Sequence, residues 1–397
     1  MSVLLTIDEA LEHVLERSRL LPVESVPIDE ALGRILREPA CAAVDLPPFP
    51  SSAMDGFAVR AAETPGRLPV AYRVAAGGAP PAALPHGAAA GIATGGTVPE
   101  SADAVVPVER VEDHGDHVDV LHEATLGQHV RPLGGDVRAG DVVVAPGTRL
   151  GAVQIGALGA AGVATVVCSS RPRVAILATG TELRDPGESL EAGQIYESNR
   201  RMIAAALASS GAEINVLPVA ADDSESHRDA IARGLEHDVL VTSGGVSMGP
   251  HDLVRRVAAE LGVDEVFWGV AIKPGKPLAF GVRGDTLVFG LPGNPVSSLV
   301  GALVFVRPAL LARQGAASPK PSYLHACVTS TLRRNPHRDE FVRATRTEAL
   351  NGIDLAPIVG QESHMIVRAA AADALIHVPR GEGETPPGEI LRFLPLD

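Results

Sequence analysis

Residues 238–276 hold the densest set of groups able to do chemistry. Asp238-Val-Leu-Val-Thr242 is a short run of β-formers that predicts a buried strand. It opens into Ser243-Gly244-Gly245-Val246-Ser247-Met248-Gly249-Pro250-His251-Asp252. A strand breaking into a Gly- and hydroxyl-rich turn before a helix is how α/β folds make an anion pocket, because small residues let backbone N–H groups approach an oxyanion. Asp252 ends that loop with a carboxylate, which alone would repel a phosphate and so implies a bridging metal ion or a hydrolytic role. Two rigid turns follow, Lys273-Pro-Gly-Lys276-Pro277 and Leu291-Pro292-Gly-Asn294-Pro295, the first with two cations. Hydroxyls, a carboxylate and two lysines point to an enzyme handling an anionic, phosphorylated substrate.

Further carboxylates lie in Gly-rich turns. Asp55-Gly56, the hydroxyl loop at Thr94-Gly-Gly-Thr and Gly134-Gly-Asp136 each read first as plain surface turns when taken singly. Ala178-Thr-Gly-Thr-Glu182 follows a predicted strand, so Glu182 and Asp252 are expected on one edge of a sheet, where α/β folds bind ligands. Asn199 serves that edge or caps a helix, and Asp222-Asp223 is explained as well by capping and the helix dipole. No Gly-x-x-x-x-Gly-Lys-Ser/Thr loop occurs, which argues against P-loop hydrolysis. Arg343 and Ser363 carry no signal alone.

The elements that must position these groups alternate regularly. Thr6-Ile-Asp-Glu9 is a capping box opening a helix to about residue 21, and 27–36 predicts a second short helix. Short β runs at 105–109, 117–121 and 141–144 predict a small β unit, and 150–163 a close-packed helix. Strands at 174–178, 214–219, 239–242 and 286–290 alternate with helices at 198–209, 224–235 and 252–261, which predicts a parallel sheet covered on both faces. Asn294-Pro295 places an N-cap before Pro at the first position of a helix to about 312. A linker at 314–322 precedes runs at 323–330, 340–345 and 390–394 that fit a small barrel or sandwich.

Composition bounds the partners. With 397 residues, two to four domains of about 150 residues are expected. The hydrophobic fraction of 46% excludes global disorder. A net charge of −14 opposes nucleic-acid and anionic-membrane binding, and three Tyr and one Trp give no base-stacking surface. An anionic substrate therefore needs a local nest of cations. Cys41, Cys168 and Cys327 are far apart and read as reduced thiols. No secretory pattern and no membrane-length apolar run is visible, so a cytosolic protein is expected.

In order along the chain, Ser51-Ser-Ala-Met-Asp-Gly-Phe-Ala-Val-Arg60, Thr94-Gly, Glu100-Ser-Ala-Asp-Ala-Val-Val106, Arg131-Pro-Leu-Gly-Gly-Asp136, Ala178-Thr-Gly-Thr-Glu182-Leu, Gly193-Gln-Ile-Tyr-Glu-Ser-Asn-Arg200, Thr242-Ser-Gly-Gly-Val-Ser-Met-Gly249, Ile272-Lys-Pro-Gly-Lys-Pro277 and Leu291-Pro-Gly-Asn-Pro-Val-Ser297 resemble the molybdopterin molybdenumtransferase family, which includes the gephyrin E domain. The resemblance implies a multidomain α/β subunit: a helical linker domain over 1–44 and 142–170, a β-rich domain over 45–141, a three-layer molybdopterin-binding domain with a central parallel sheet over 171–316, and a C-terminal β-barrel over 317–397. It implies a homodimer with its active site at the subunit interface, inserting molybdate into adenylylated molybdopterin with release of AMP and help from Mg²⁺. Thr242, Gly244, Gly245, Ser247, Pro277, Pro292, Asn294 and Pro295 would then bind the pterin substrate, with Lys273 beside it. Asp252, Glu182 and Asp222 would hold Mg²⁺, and Asp252 and Glu182 would share catalysis with Asp55 and Asp136. Asp55, Thr94 and Asp136 would come from the partner subunit, and Lys276, Arg343 and Ser363 would cradle molybdate. After Gln361 the run Glu362-Ser-His-Met-Ile-Val-Arg368 departs from the Gly-Ser, Ser-rich turn common in the family. The α/β region alone also resembles molybdopterin adenylyltransferase, and a non-enzymatic scaffold is the third alternative.

Overall fold

Thr6 starts the chain's first helix, α1 (Ile7–Arg17), with both halves of the capping box: its side chain accepts from the Glu9 amide, and the Glu9 carboxylate accepts from the Thr6 amide. The computed structural model describes residues 4–75, 77–245, 253–349 and 352–396. Ile7, Ala10, Leu11 and Val14 form the buried face of α1, and that face packs into the core of the later α/β unit with Ile203, Phe305 and Leu310. The helix thus leaves the unit its sequence neighbours build.

Where the pattern of 27–36 predicts a second helix, the chain instead forms β1 (Val23–Pro27), one 3-10 turn at Ile28–Glu30 and bridges at Ile35 and Leu36. Gly33 takes φ +76° and ends helical progress there. Pairing of Ile35 with Arg149 and of Leu36 with Cys168 then outweighs local helix preference.

The β-rich unit holds β2 (Gly56–Val59), β3 (Gly66–Val74), β4 (Ala89–Ile92), β5 (Ala104–Pro107), β6 (Val111–Asp113) and β7 (His117–Val120), in sheet order β5-β2-β4-β3-β7-β6. Period-2 alternation sends Phe57 and Val59 to one small core, with Leu68 and Val118, and Ala58 to another, with Val74 and Ile92. The chain returns through α2 (Ala152–Ala160) and β8 (Thr165–Ser169), which close a core around Leu36, Leu158 and Cys168.

The α/β unit contains β9 (Arg173–Ala178), α3 (Asn199–Ala208), β10 (Glu213–Val216), α4 (Ser224–Gly234), β11 (Val239–Ser243), α5 (Leu253–Glu260), β12 (Asp264–Trp268), β13 (Ala279–Arg283) and β14 (Thr286–Leu291). Its sheet runs β10-β9-β11-β14-β13-β12. The first four strands are parallel, as expected, but β13 runs antiparallel to both its neighbours, β14 and β12. Only Gly284 and Asp285 separate β13 from β14, and so short a connection can join antiparallel neighbours only.

From Pro295 one continuous helix runs as α6 (Pro295–Gly301), a π turn at Ala302–Val306 and α7 (Arg307–Arg313). It is the one helix among the described residues long and apolar enough to cross a membrane, yet 72% of its apolar window is buried inside this fold. Its apolar character is that of a core helix, with Val300, Phe305 and Leu310 in the same core as α1.

The last unit comprises β15 (Leu324–Val328), β16 (Asp339–Ala349), β17 (Gly352–Pro357), the short α8 (Ile366–Ala369), β18 (Ala374–Val378) and β19 (Ile390–Pro395). Pairing in the order β16-β17-β15-β19-β18 and back to β16 closes a five-stranded barrel, which leaves no edge within the ring. Ile272–Lys273 adds alongside β16 and ties the Lys-Pro-Gly-Lys turn to the barrel.

Candidate active site

The carboxyl ends of β9, β11 and β14 open into one cleft of about 750 Å³. This is the position where parallel α/β sheets hold ligands, since the turns leaving these strands face away from the sheet core. Glu182, Asp222, Gly244, Gly245, Pro277, Pro292, Asn294 and Pro295 all line it, so eight of the residues singled out in the sequence meet here.

The glycine pair is required by space. Gly244 and Gly245 take φ +97° and +65°, and a Cβ on Gly245 would lie 2.4 Å from Val254 Cγ2. The Gly244 amide donates to the Leu291 carbonyl, locking the turn after β11 against the turn after β14. Asn199 joins the same two turns by donating to Ser243 Oγ at 2.9 Å and to the Gly293 carbonyl at 2.7 Å. Its Oδ1 and the hydroxyl of Thr179 are buried polar atoms with no hydrogen-bond partner among the described residues, and both residues line the cleft. A bound polar ligand is the natural partner of such groups.

The acids separate by role. Asp222 Oδ2 accepts from the Thr181 amide and hydroxyl at 3.0 and 3.3 Å, which aims the carboxylate at the cleft. Asp223 is the N-cap of α4, accepting from the amides of Glu225 and Ser226. The Ser226 N–H holds its carboxyl below the usual carboxylate range. Capping therefore accounts for Asp223 and leaves Asp222 to the cleft. The Glu182 carboxylate curls over Gly180, where a Cβ would lie only 2.6 Å from Oε2, and takes no ion pair among the described residues. Ser247 and Asp252 lie outside the described residues.

Asn294 sits at the predicted cap position of α6, but its side chain makes no capping bond. The Val296 amide instead donates to the carbonyl of Ser363 at 3.1 Å. The barrel thus caps a helix of the α/β unit, and the unusual turn after Gln361 brings His364 and Ile366 into the cleft wall. Ser363 contributes here through its backbone.

Burial sets two of the expected site side chains apart from the cleft. Arg343 is only 1% exposed. Its guanidinium donates to the carbonyls of Met365, Gly360 and Glu362 at 2.9, 2.7 and 3.1 Å, and burial lowers its pKa. Those bonds commit Arg343 to shaping the 360–365 turn, and the guanidinium does not line the cleft. Thr242 is also 1% exposed; its hydroxyl donates to the Phe289 carbonyl at 3.4 Å, and it lines a separate cavity with Val254 and Phe280.

The two lysines diverge. Lys273 Nζ pairs with Glu340 at 2.9 Å. Lys276 is exposed with no ion pair among the described residues, and the next residue, Pro277, lines the cleft. In the β-rich unit Asp55 Oδ1 accepts the Thr94 amide at 2.6 Å, which lowers the Asp55 pKa. Asp136 is exposed on a loop whose amide bonds the Leu46 carbonyl. None of these three lines the cleft of its own chain.

Sequence reasoning missed Thr179 and His364 as cleft residues. Thr179 directly follows β9, so the sheet-edge argument could have found it. Nothing local marks His364, which reaches the cleft only because the barrel docks there.

Comparison with known proteins agrees with this architecture. Residues 5–162 match the MoeA N-terminal region (domain I and II), 175–312 a probable molybdopterin binding domain, and 326–396 the MoeA C-terminal region (domain IV). The chain is 35% identical over 407 residues to molybdopterin molybdenumtransferase 2 of Mycobacterium tuberculosis, covering 98% of this chain and 99% of that one. It is 34% identical to the molybdopterin molybdenumtransferase of Haemophilus influenzae, covering 99% of each. The crystal structure of the molybdopterin biosynthesis moeA protein from Pyrococcus horikosii matches with a TM-score of 0.82 at 34% identity over 99% of both chains. Matching family regions in the same order and full-length identity at this level lead to one assignment: the chain belongs to the molybdopterin molybdenumtransferase family and is a transferase.

Proposed function

We propose that this chain inserts molybdate into adenylylated molybdopterin and releases AMP, with Mg²⁺, as a cytoplasmic homodimer. The observation that carries this reading is the cleft itself, with Glu182 and Asp222 at its mouth, a glycine pair in its wall and the amino end of α6 beside them. An anionic phosphoryl group suits the Cβ-free turn, where backbone can approach an oxyanion closely. The Thr179 hydroxyl and Asn199 Oδ1 suit the polar edge of a pterin, because each is buried and has no hydrogen-bond partner among the described residues.

Carboxylate oxygens with spare lone pairs fit a hard cation, and Glu182 and Asp222, with Asp252 by resemblance, would hold Mg²⁺. When bound, the ion supplies positive charge to the phosphoryl oxygens. Asp252 orients the attacking oxygen, and Lys276, which has no ion pair among the described residues, meets the molybdate dianion. Asp55, Thr94 and Asp136 complete the site from the partner subunit. What supports this reading is that, among the described residues, none of the three lines the cleft of its own chain.

The test is AMP release from adenylylated molybdopterin with molybdate and Mg²⁺, using Glu182→Gln and Asp222→Asn. Each loses charge with little change of shape, so turnover should fall about 100-fold. AMP release at the parental rate in both variants, or in the parent after exhaustive chelation, would remove the proposal.

A further inference from the structure

A second constellation lies in the β-rich unit, on the hairpin of β6 and β7. Residues 112–119 contain six side chains of metal-ligand type in the order Glu-Asp-His-Gly-Asp-His-Val-Asp. The hairpin register sets Glu112 opposite Asp119 and Asp113 opposite Val118. The His114 amide bonds the His117 carbonyl at 3.0 Å, and Gly115 takes φ +94° to reverse the chain in two residues. This tight turn brings the two histidines together, with ring centroids 4.6 Å apart and planes 18° from parallel.

One ligand atom from each of His114, His117 and Asp119 lies within 4.8 Å of the others. His114 Nε2 is 3.3 Å from Asp119 Oδ2, which matches the spacing of two ligands on a tetrahedral ion bound at about 2.0 Å. The surrounding groups support this arrangement. Asp116 holds His117 at Nδ1 with a 2.6 Å contact, leaving Nε2 available; carboxylate–histidine pairs of this kind orient metal-binding imidazoles. Arg67 forks onto both oxygens of Asp119 at 2.8 and 2.9 Å. Each carboxylate oxygen keeps a second lone pair, so the fork orients Asp119 without consuming it. Arg73 pairs with Asp113 at 2.8 Å, so the hairpin's four carboxylates face two arginines and a dication would offset the excess negative charge.

We propose that His114, His117 and Asp119 form a binding site for one borderline transition-metal dication such as Zn²⁺, distinct from the hard-cation site of the cleft. Two imidazoles select a borderline metal over Mg²⁺, which prefers oxygen ligands. The side chains remain 43%, 28% and 23% exposed, so the metal has access and water completes its coordination. The ion would clamp the hairpin turn on which both histidines sit.

The experiment is calorimetric titration of the full-length chain, stripped of metal by chelator, with ZnCl₂ in the presence of excess Mg²⁺. One equivalent should bind tightly in the parent and in the cleft variant Glu182→Gln/Asp222→Asn. Affinity should fall at least about tenfold in His114→Ala/His117→Ala. Co²⁺ should give the intense visible bands of a tetrahedral site in the parent and lose them in the histidine variant. His114→Gln/His117→Gln serves as a second variant, and matching far-UV circular dichroism without metal separates site loss from unfolding. Unchanged Zn²⁺ affinity in either folded histidine variant, loss of the equivalent in the cleft variant alone, or no stoichiometric binding to the parent would overturn the proposal.

Discussion

Replacing Arg343 by methionine decides whether its guanidinium shapes the turn or meets an anion. The side chain is 1% exposed and donates three bonds to the carbonyls of Gly360, Glu362 and Met365. Bonds from a charged donor contribute about 1.5–3 kcal/mol each, and they do not add fully when they share one group. Removing the guanidinium leaves buried carbonyls without their donors, at about 1–3 kcal/mol for each that stays unsatisfied. That loss falls on the turn whose Ser363 carbonyl caps α6 through Val296. Hydrogen exchange of 358–366 should therefore speed up about a hundredfold or more, at about tenfold per 1.4 kcal/mol, and the urea midpoint should fall. Arg343→Lys should recover only part of this, since an ammonium cannot reproduce the planar fork. If Arg343→Met keeps parental exchange and urea midpoint while the molybdate requirement rises, the guanidinium faces the anion and the structural assignment is wrong.

Lys276→Ala should raise the molybdate concentration needed for insertion about ten- to hundredfold, whereas Lys273→Ala should change it less because Lys273 already pairs with Glu340. Identical molybdate curves for Lys276→Ala and the parent would place the dianion elsewhere. Gly245→Ala forces a Cβ to 2.4 Å from Val254 Cγ2 at φ +65°, which should cost about 1–3 kcal/mol in a thermal melt; an unchanged melt would show the turn relaxes freely. The Thr94 amide, followed by its hydroxyl, holds the Asp55 carboxyl below its usual range. A depressed folded pKa stabilises the folded loop above the unfolded value and loses that contribution as pH falls through the folded value. The Thr94 amide shift in an NMR titration should therefore move with a midpoint below the ordinary value of about 3.9, and a midpoint at or above it would contradict the contact.

Features set by neighbours in the chain were legible from residue types. The capping box of Thr6 and Glu9, the strand–turn–helix alternation and the glycine pair after β11 all depend on local geometry, so their residues declare them. The full-length order of motifs carried the family assignment for the same reason. Glu182 could be expected at the edge of the sheet because parallel strands put their outgoing turns together, whereas Asp222 read equally well as a helix cap until the fold turned it to the cleft.

Long-range packing decided the rest. The apolar face of α1 shows in the sequence, but only the assembled fold gives that face to the α/β core. Residues 27–36 keep only one 3-10 turn, because Pro27 ends the ladder with β8 and Leu36 bridges Cys168, more than a hundred positions away. Arg343 and Thr242 carry the same functional groups whether open or buried, and the barrel and sheet around them settle which. The carbonyl of Ser363 can cap α6 only because the barrel docks against the cleft, a contact that no local pattern encodes. Sequence alone determined the family and the chemistry on offer, since both reside in residue types at short spacing; tertiary structure decided which groups face the cleft, since burial and partners are set by residues remote in the chain.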